Sequence, residues 1–142
     1  MNNKVKAMLK VPYEPKKNNR WIVQFPDYLP IPEYVVKYVS RLSWERESFM
    51  APITWDDLII KLYDPITPST SQILHEYFIR SKTNSKTITF NINKLGPVGD
   101  IVQQTVITGA ITGIDFGECD YENDDVSLIV LNFRIYNVTL NF

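Results

Sequence analysis

The chain has 142 residues, the size of one domain, with 44% apolar and 22% charged side chains, so it reads as globular rather than disordered. Fifteen basic groups nearly balance sixteen acidic ones for a net charge of −1, which argues against a whole-surface nucleic-acid binder. One cysteine (Cys119) and one histidine (His75) exclude an internal disulfide, a multi-thiolate metal site and a His-pair metal centre.

Taken in chain order, residues 1–19 mix Lys, Asn and Pro with weak periodicity and read as a basic N-terminal arm, leaving 20–142 as a single domain. Arg20 to Phe25 is aromatic and β-branched, a strand that Pro26 stops. Pro26, Pro30 and Pro32 make the next stretch a rigid connection. Tyr34 to Leu42 reads as a second strand. Ser43 to Pro52, with mixed charge and exposed-looking aromatics, reads as a long loop, and Ile53 to Tyr63 as a third strand ended by the turn-like Asp64-Pro65.

One helix follows. Thr67-Pro68 offers a cap and a first-turn proline, and Ser69 with Gln72 an alternative capping box. Ile73, Leu74, Tyr77 and Phe78 form one apolar stripe, and Glu76 and Arg80 are spaced to pair on the other side. Lys86 to Leu95 then alternates as a strand, Gly96-Pro97 turns the chain, and Ile101 to Thr108, Ala110 to Phe116 and Val126 to Leu140 supply three more strands. In the last, Ile129, Leu131, Phe133 and Ile135 fall on one side, and Leu128, Val130, Tyr136, Val138 and Leu140 on the other. A strand apolar on both sides is covered on both, by a layer or by another subunit. The fold class expected is mainly β: two packed antiparallel sheets forming a sandwich or barrel, with one flanking α-helix.

No catalytic constellation accompanies these elements. His75 sits in the helix beside the apolar stripe, and no nucleophile-elbow pattern accompanies any serine. Cys119 lies between Glu118 and Asp120, whose charges disfavour a thiolate, so a structural role is expected for it. Asp120 to Asp125 is rich in carboxylates, yet Asp125 and Leu131 stand where a calcium-binding helix–loop–helix needs Gly and Glu. Gly96-Pro97-Val98-Gly99 lacks the Lys-Ser/Thr of a phosphate loop, and Asp56 and Asp57 are adjacent rather than facing. Asn137-Val138-Thr139 matches a glycosylation sequon, but Lys4, Lys6 and Lys10 precede no apolar stretch, so no secretory signal accompanies it. The longest strongly apolar run, Leu128 to Leu131, is far short of the roughly 20 residues of a membrane span. The expectation is a soluble, intracellular chain that is not an enzyme, with no catalytic residues, no metal and no cofactor.

Charge is segregated by region. Lys4, Lys6, Lys10, Lys16, Lys17 and Arg20 face only Glu14 within residues 1–20, whereas Asp115, Glu118, Asp120, Glu122, Asp124 and Asp125 crowd residues 115–125 without a cation. Two readings stand: solvated loops, or oppositely charged segments that attract when copies assemble.

The order of elements carries a resemblance. Leu95-Gly96-Pro97-Val98-Gly99-Asp100 leads into Ile101 to Asp120, with a small-residue step at Gly109-Ala110. An aromatic-Gly-acidic turn at Phe116-Gly117-Glu118 follows, then Asp120-Tyr121, Asp124-Asp125 and a long closing strand. Together with the upstream strand, turn and capped helix, this resembles the tail-tube proteins of long-tailed bacteriophages over residues 20–142. The tube protein of the type VI secretion system shares that fold. The N-terminal arm and the Pro26 to Pro32 connection depart from the family pattern.

The resemblance implies a structural virion protein. Its subunits form hexameric rings that stack into a hollow tail tube, through which DNA passes without sequence-specific binding. It implies self-association first, then tail sheath, baseplate hub and tape-measure protein as partners, and a place in the virion tail after assembly in the host cytoplasm. A baseplate tube initiator, a tail-completion protein of the same fold and a monomeric β binding module remain as alternatives. Trp44, Phe49 and Met50 are the candidate inter-subunit contacts, because aromatics and Met are favoured at interfaces; a loop folded over its own domain is the competing reading. A conduit should not grip DNA, so few basic residues are expected to line the channel.

Overall fold

A computed structural model describes residues 15–80 and 87–142, leaving aside the side chain of Arg80. Eight strands and one α-helix follow in order: β1 (Trp21–Gln24), β2 (Val36–Val39), β3 (Trp44–Glu45), β4 (Thr54–Trp55), β5 (Leu58–Tyr63), α1 (Thr70–Arg80), β6 (Ile88–Leu95), β7 (Ile101–Asp115) and β8 (Leu128–Asn141). A six-stranded sheet runs in the order β1-β6-β7-β8-β5-β2, and β3 and β4 form a second, two-stranded sheet. Every pair is antiparallel. The mainly β class with one helix stands. The two sheets are of very unequal size, and the larger curls into a nearly closed barrel.

The inward face is the alternation the sequence displays. Leu58, Ile60 and Leu62 of β5, Ile88 and Phe90 of β6, Ile107 of β7 and Ile129, Leu131, Phe133 and Ile135 of β8 are buried together, with Val23 of β1. Phe90 meets Phe133 edge-on, their ring centroids 5.0 Å apart, the arrangement that aromatic quadrupoles favour.

The barrel's open side lies between β1 and β2, the two ends of the sheet. The proline-rich connection fills it: Leu29, Ile31 and Val35 are buried there. Short hydrogen bonds from Leu29 N to the Pro26 carbonyl (2.9 Å) and Val35 N to the Pro32 carbonyl (3.3 Å) fold the segment back on itself. Val35 ends a 3-10 turn, Glu33–Val35, so the second strand starts at Val36, two residues later than its sequence suggests. An amide relay ties the sides together: Asn93 Nδ2 donates to Gln24 Oε1 and Gln24 Nε2 to Glu33 Oε1, each at 3.1 Å.

The helix starts at the second of its two candidate caps. Ser69 Oγ accepts from Gln72 N (3.3 Å), and Gln72 Nε2 turns forward to Glu76 Oε1 (3.1 Å) rather than back. Asp64, read from sequence only as a turn, is a second cap: it accepts from Ser71 N (3.1 Å) and from Ser71 Oγ. Leu74 enters the core with Ile73 and Tyr77 packed beside it, while Phe78 at the stripe's edge is 40% exposed. The expected Glu76–Arg80 pairing and most of the basic arm fall outside the described residues.

Three further features differ from their sequence reading. Ile53 to Tyr63 is two strands, broken at Asp56, where Asp56 N donates to the Ser43 carbonyl (3.0 Å) and Ser43 Oγ to Asp56 Oδ2 (2.6 Å). The loop Ser43 to Pro52 contains β3, because Trp44 pairs with Trp55 and Glu45 with Thr54. Gly109-Ala110 breaks nothing, since β7 runs unbroken from Ile101 to Asp115.

Instead, Gly109 marks a change of register. Thr108 pairs with Asn137 but Gly109 with Ile135, so Tyr136 is a bulge in β8. A β-carbon on Gly109 would overlap the Arg134 carbonyl oxygen and lie 2.6 Å from Phe133 Cε1. The bulge also reverses the phase of β8. Val138 lies opposite Ile107 and Leu140 opposite Thr105, both inward residues, and opposite residues share a face. The two-sided apolar pattern of the last strand is therefore largely one face interrupted by a bulge, with Leu128, Val130 and Tyr136 left outward.

Candidate assembly surface

The β3–β4 ribbon leaves the barrel between Ser40, whose N–H still bonds the Ile59 carbonyl (2.8 Å), and Leu58. Asp56 and Ser43 pin its base through the two bonds described above. At its root Trp55 turns inward against the core. Beyond it the ribbon carries apolar side chains into solvent: Trp44 is 47% exposed, Phe49 82%, Met50 87% and Ile53 47%.

All three sequence candidates therefore sit on one projection. Arg46 joins two of them, its guanidinium 5.6 Å from the Trp44 ring centre and 5.1 Å from that of Phe49. Such cation–π contacts link the two rings, and an arginine stacked this way keeps its donors for a partner. The sequence reading omitted Arg46. Residues 43–52 read as a loop, so no local signal placed Arg46 against these rings.

The opposite end of β5 carries the acidic β7–β8 turn. Leu128 pairs with Tyr63, the last residue of β5, whereas the ribbon enters at Leu58, the first. Six residues of strand, about 20 Å, separate the two features. The turn is ordered by its own side chains: Gly117 N bonds Asp115 Oδ1 (2.8 Å), Glu122 N bonds Asp120 Oδ1 (3.0 Å) and Asp125 N bonds Asn123 Oδ1 (3.0 Å). Gly117 has φ +89, a conformation that side chains with a β-carbon avoid. Cys119 is exposed in this turn, so the structural role expected of it is not packing. His75 is exposed on α1.

The rest of the barrel's outer surface divides into two halves. On β2 and β5, Lys37 lies over Tyr63 (5.7 Å) and Lys61 over Tyr38 (5.0 Å), a cationic and aromatic patch. On β6, β7 and the end of β8 the outward positions are uncharged, mostly amides and hydroxyls with Val106 among them, and Thr89 Oγ1 and Thr108 Oγ1 lie 3.1 Å apart. Beside the Pro26 to Pro32 segment, Tyr28 stacks on Tyr77 at 6.3 Å. Burial, and then the nearby Tyr28, raise the Tyr77 hydroxyl above its ordinary pKa of 10.0. Among the described residues no cluster of metal-ligating side chains occurs, and no helix is long and apolar enough to cross a membrane.

No protein-family model matches the chain, and no curated protein matches its sequence. Solved structures do match its fold. A chain of the six-fold-symmetrised anti-feeding prophage baseplate superposes with a TM-score of 0.65 at 15% identity, covering 90% of this chain and 96% of that one. The chain therefore shares its fold with a chain of that baseplate.

Two further matches come from the PVC extracellular contractile injection system in its extended state. A chain of its sheath–tube complex gives a TM-score of 0.67 at 13% identity, over 95% of this chain and 96% of that one. A chain of its sheath/tube terminator gives 0.69 at 12% identity, over 91% and 98%. The shared fold thus takes in nearly the whole chain.

Proposed function

We propose that this chain is a structural, non-enzymatic tail subunit that closes into six-membered rings, and that the rings stack into the hollow tube through which phage DNA reaches the host. The observation that carries this reading is the near end-to-end fold match to a chain of a sheath–tube complex. Two structural features support it. Among the described residues the six-stranded sheet ends in β1 and β2, each bonded to a strand on one side only, and ring closure would use such edges. The Trp44–Phe49–Met50 projection would then meet a neighbouring subunit or the next ring, where exposed aromatics and Met gain most from burial.

A ribbon at one end of β5 and an acidic turn at the other make the two ends of the subunit unlike. Unlike ends favour head-to-tail contacts, which generate rings or open stacks rather than two-fold dimers. The other partners on this reading are a tail sheath, a baseplate hub and a tape-measure protein, and the site is the virion tail after assembly in the host cytoplasm. A tube initiator or tail-completion protein of the same fold is the second reading, favoured by the baseplate and terminator matches. The two differ in valence, since a tube subunit stacks on itself at both ring faces and an initiator or terminator at one.

Sedimentation velocity of the concentrated chain separates these readings. Species of ring mass and an open-ended series of larger ones are expected of a tube subunit, and a ring that never grows would identify an initiator or terminator. A chain that stays monomeric, even with its own tail-tip complex added, would overturn both and indicate a monomeric β binding module.

A further inference from the structure

Resting on the tube reading, we infer that the uncharged half of the barrel's outer surface, formed by β6, β7 and the end of β8, is the wall that faces the channel. Register fixes which side chains share this face. Thr89 lies opposite Thr108 and Asn91 opposite Val106 across β6 and β7; Thr108 lies opposite Asn137 and Val106 opposite Thr139 across β7 and β8. Gln104 opposite Asn141 continues the rows. None of these positions is charged and none is aromatic, in a chain with 22% charged and 13% aromatic residues.

The charged and aromatic groups stand at its borders. Arg134, opposite Ala110, and the outward bulge residue Tyr136 mark one end. At the other, Lys16 bonds Gln103 Oε1 (2.6 Å) and lies over the Phe142 ring, and the Tyr28 hydroxyl accepts from Thr89 N along the β6 margin. Asp27 and Glu33 line the groove beside Thr89 and Asn91. The remaining outer half, on β2 and β5, bears the paired Lys37–Tyr63 and Lys61–Tyr38 contacts.

The chemistry of a passing polyanion distinguishes the two halves. Lysine or arginine on a channel wall would bind phosphates and release counterions, holding the strand in place. Tyrosine or tryptophan there would stack on any unpaired base, at about 1–3 kcal/mol each. Amides and hydroxyls stay hydrated and offer neither, so nucleic acid passes along them without a preferred stopping point. The other half offers Tyr38 and Tyr63, aromatics of the kind protein–protein contacts favour, with the Lys37 and Lys61 stems laid across them.

Cysteine accessibility tests the assignment. The native thiol is first removed as Cys119→Ser, and Asn137→Cys or Thr139→Cys then places a thiol on the uncharged half. Lys37→Cys serves as the control on the other half. Free subunits and assembled tubes are each treated with a small maleimide and with a maleimide carried on a large dextran. In tubes, the thiols at 137 and 139 are expected to keep their reaction with the small reagent, which enters the bore, and to lose reaction with the dextran. Reaction with both reagents would place the face on the tube exterior, and reaction with neither would make it a buried contact; either overturns the assignment and leaves the tube reading standing. Folded variants at both 137 and 139 that fail to assemble, beside a Cys119→Ser parent that does, would likewise make the face a contact and overturn it. A wild-type chain that forms no tube under any condition removes the tube reading itself, and the channel wall with it.

Discussion

At the scale of single residues, backbone geometry makes the sharpest demand at Gly109. The β8 backbone passes so close that any β-carbon there meets the Arg134 carbonyl and the Phe133 ring. Gly109→Ala is expected to destabilise the fold by at least about 1–3 kcal/mol, the usual cost of overpacking, and thermal unfolding of the purified variant measures it. Asp64 works more gently. Asp64→Ala frees Ser71 N and removes a negative charge from the start of α1, so a loss of about 1 kcal/mol is expected from denaturant unfolding. Tyr77 gives a pH signature. Its folded pKa is raised, so its share of stability is present in full below about pH 10, the unfolded value, and is lost as pH rises through the folded one. Tyr77→Phe should therefore lose less stability than the wild type between about pH 9 and about pH 11, and an equal loss in both would remove Tyr77 as the cause.

At the scale of elements, the ribbon is the part whose exposure the isolated subunit does not explain. Phe49 and Met50 contribute little to the barrel, so Phe49→Ser/Met50→Ser should leave the melting temperature nearly unchanged. The same variant should weaken association in sedimentation; loss of folding with no separate effect on assembly would show the loop serving its own domain instead. The strands themselves were legible in the sequence, because alternation in Lys86 to Leu95 and Val126 to Ile135 is a local signal. The Ser69 cap was legible for the same reason. The ribbon was not: β3 and β4 have two residues each, and only pairing across eight intervening residues makes them strands. The phase change at Tyr136 was equally hidden, since a bulge is defined by the partner strand and not by the residues that form it. Trp44, Phe49 and Met50 could be singled out as aromatic and Met-rich, whereas the Arg46 bridge between two of them depends on a fold-back visible only in three dimensions.

At the scale of the whole molecule, the barrel has two dissimilar ends and two dissimilar outer halves. Its apolar core is enclosed within one chain, as expected of a unit that folds by itself. What stays exposed is peripheral: the sheet ends at β1 and β2, the ribbon and the acidic turn of residues 115–125. Such features are liabilities in a monomer and would be consumed in the closed, stacked ring proposed above. Negative-stain electron microscopy of the concentrated wild-type chain, with its tail-tip complex as nucleus, tests this most directly. The account predicts hollow tubes with six-fold end views; uniform monomer-sized particles that ignore the nucleus would contradict it.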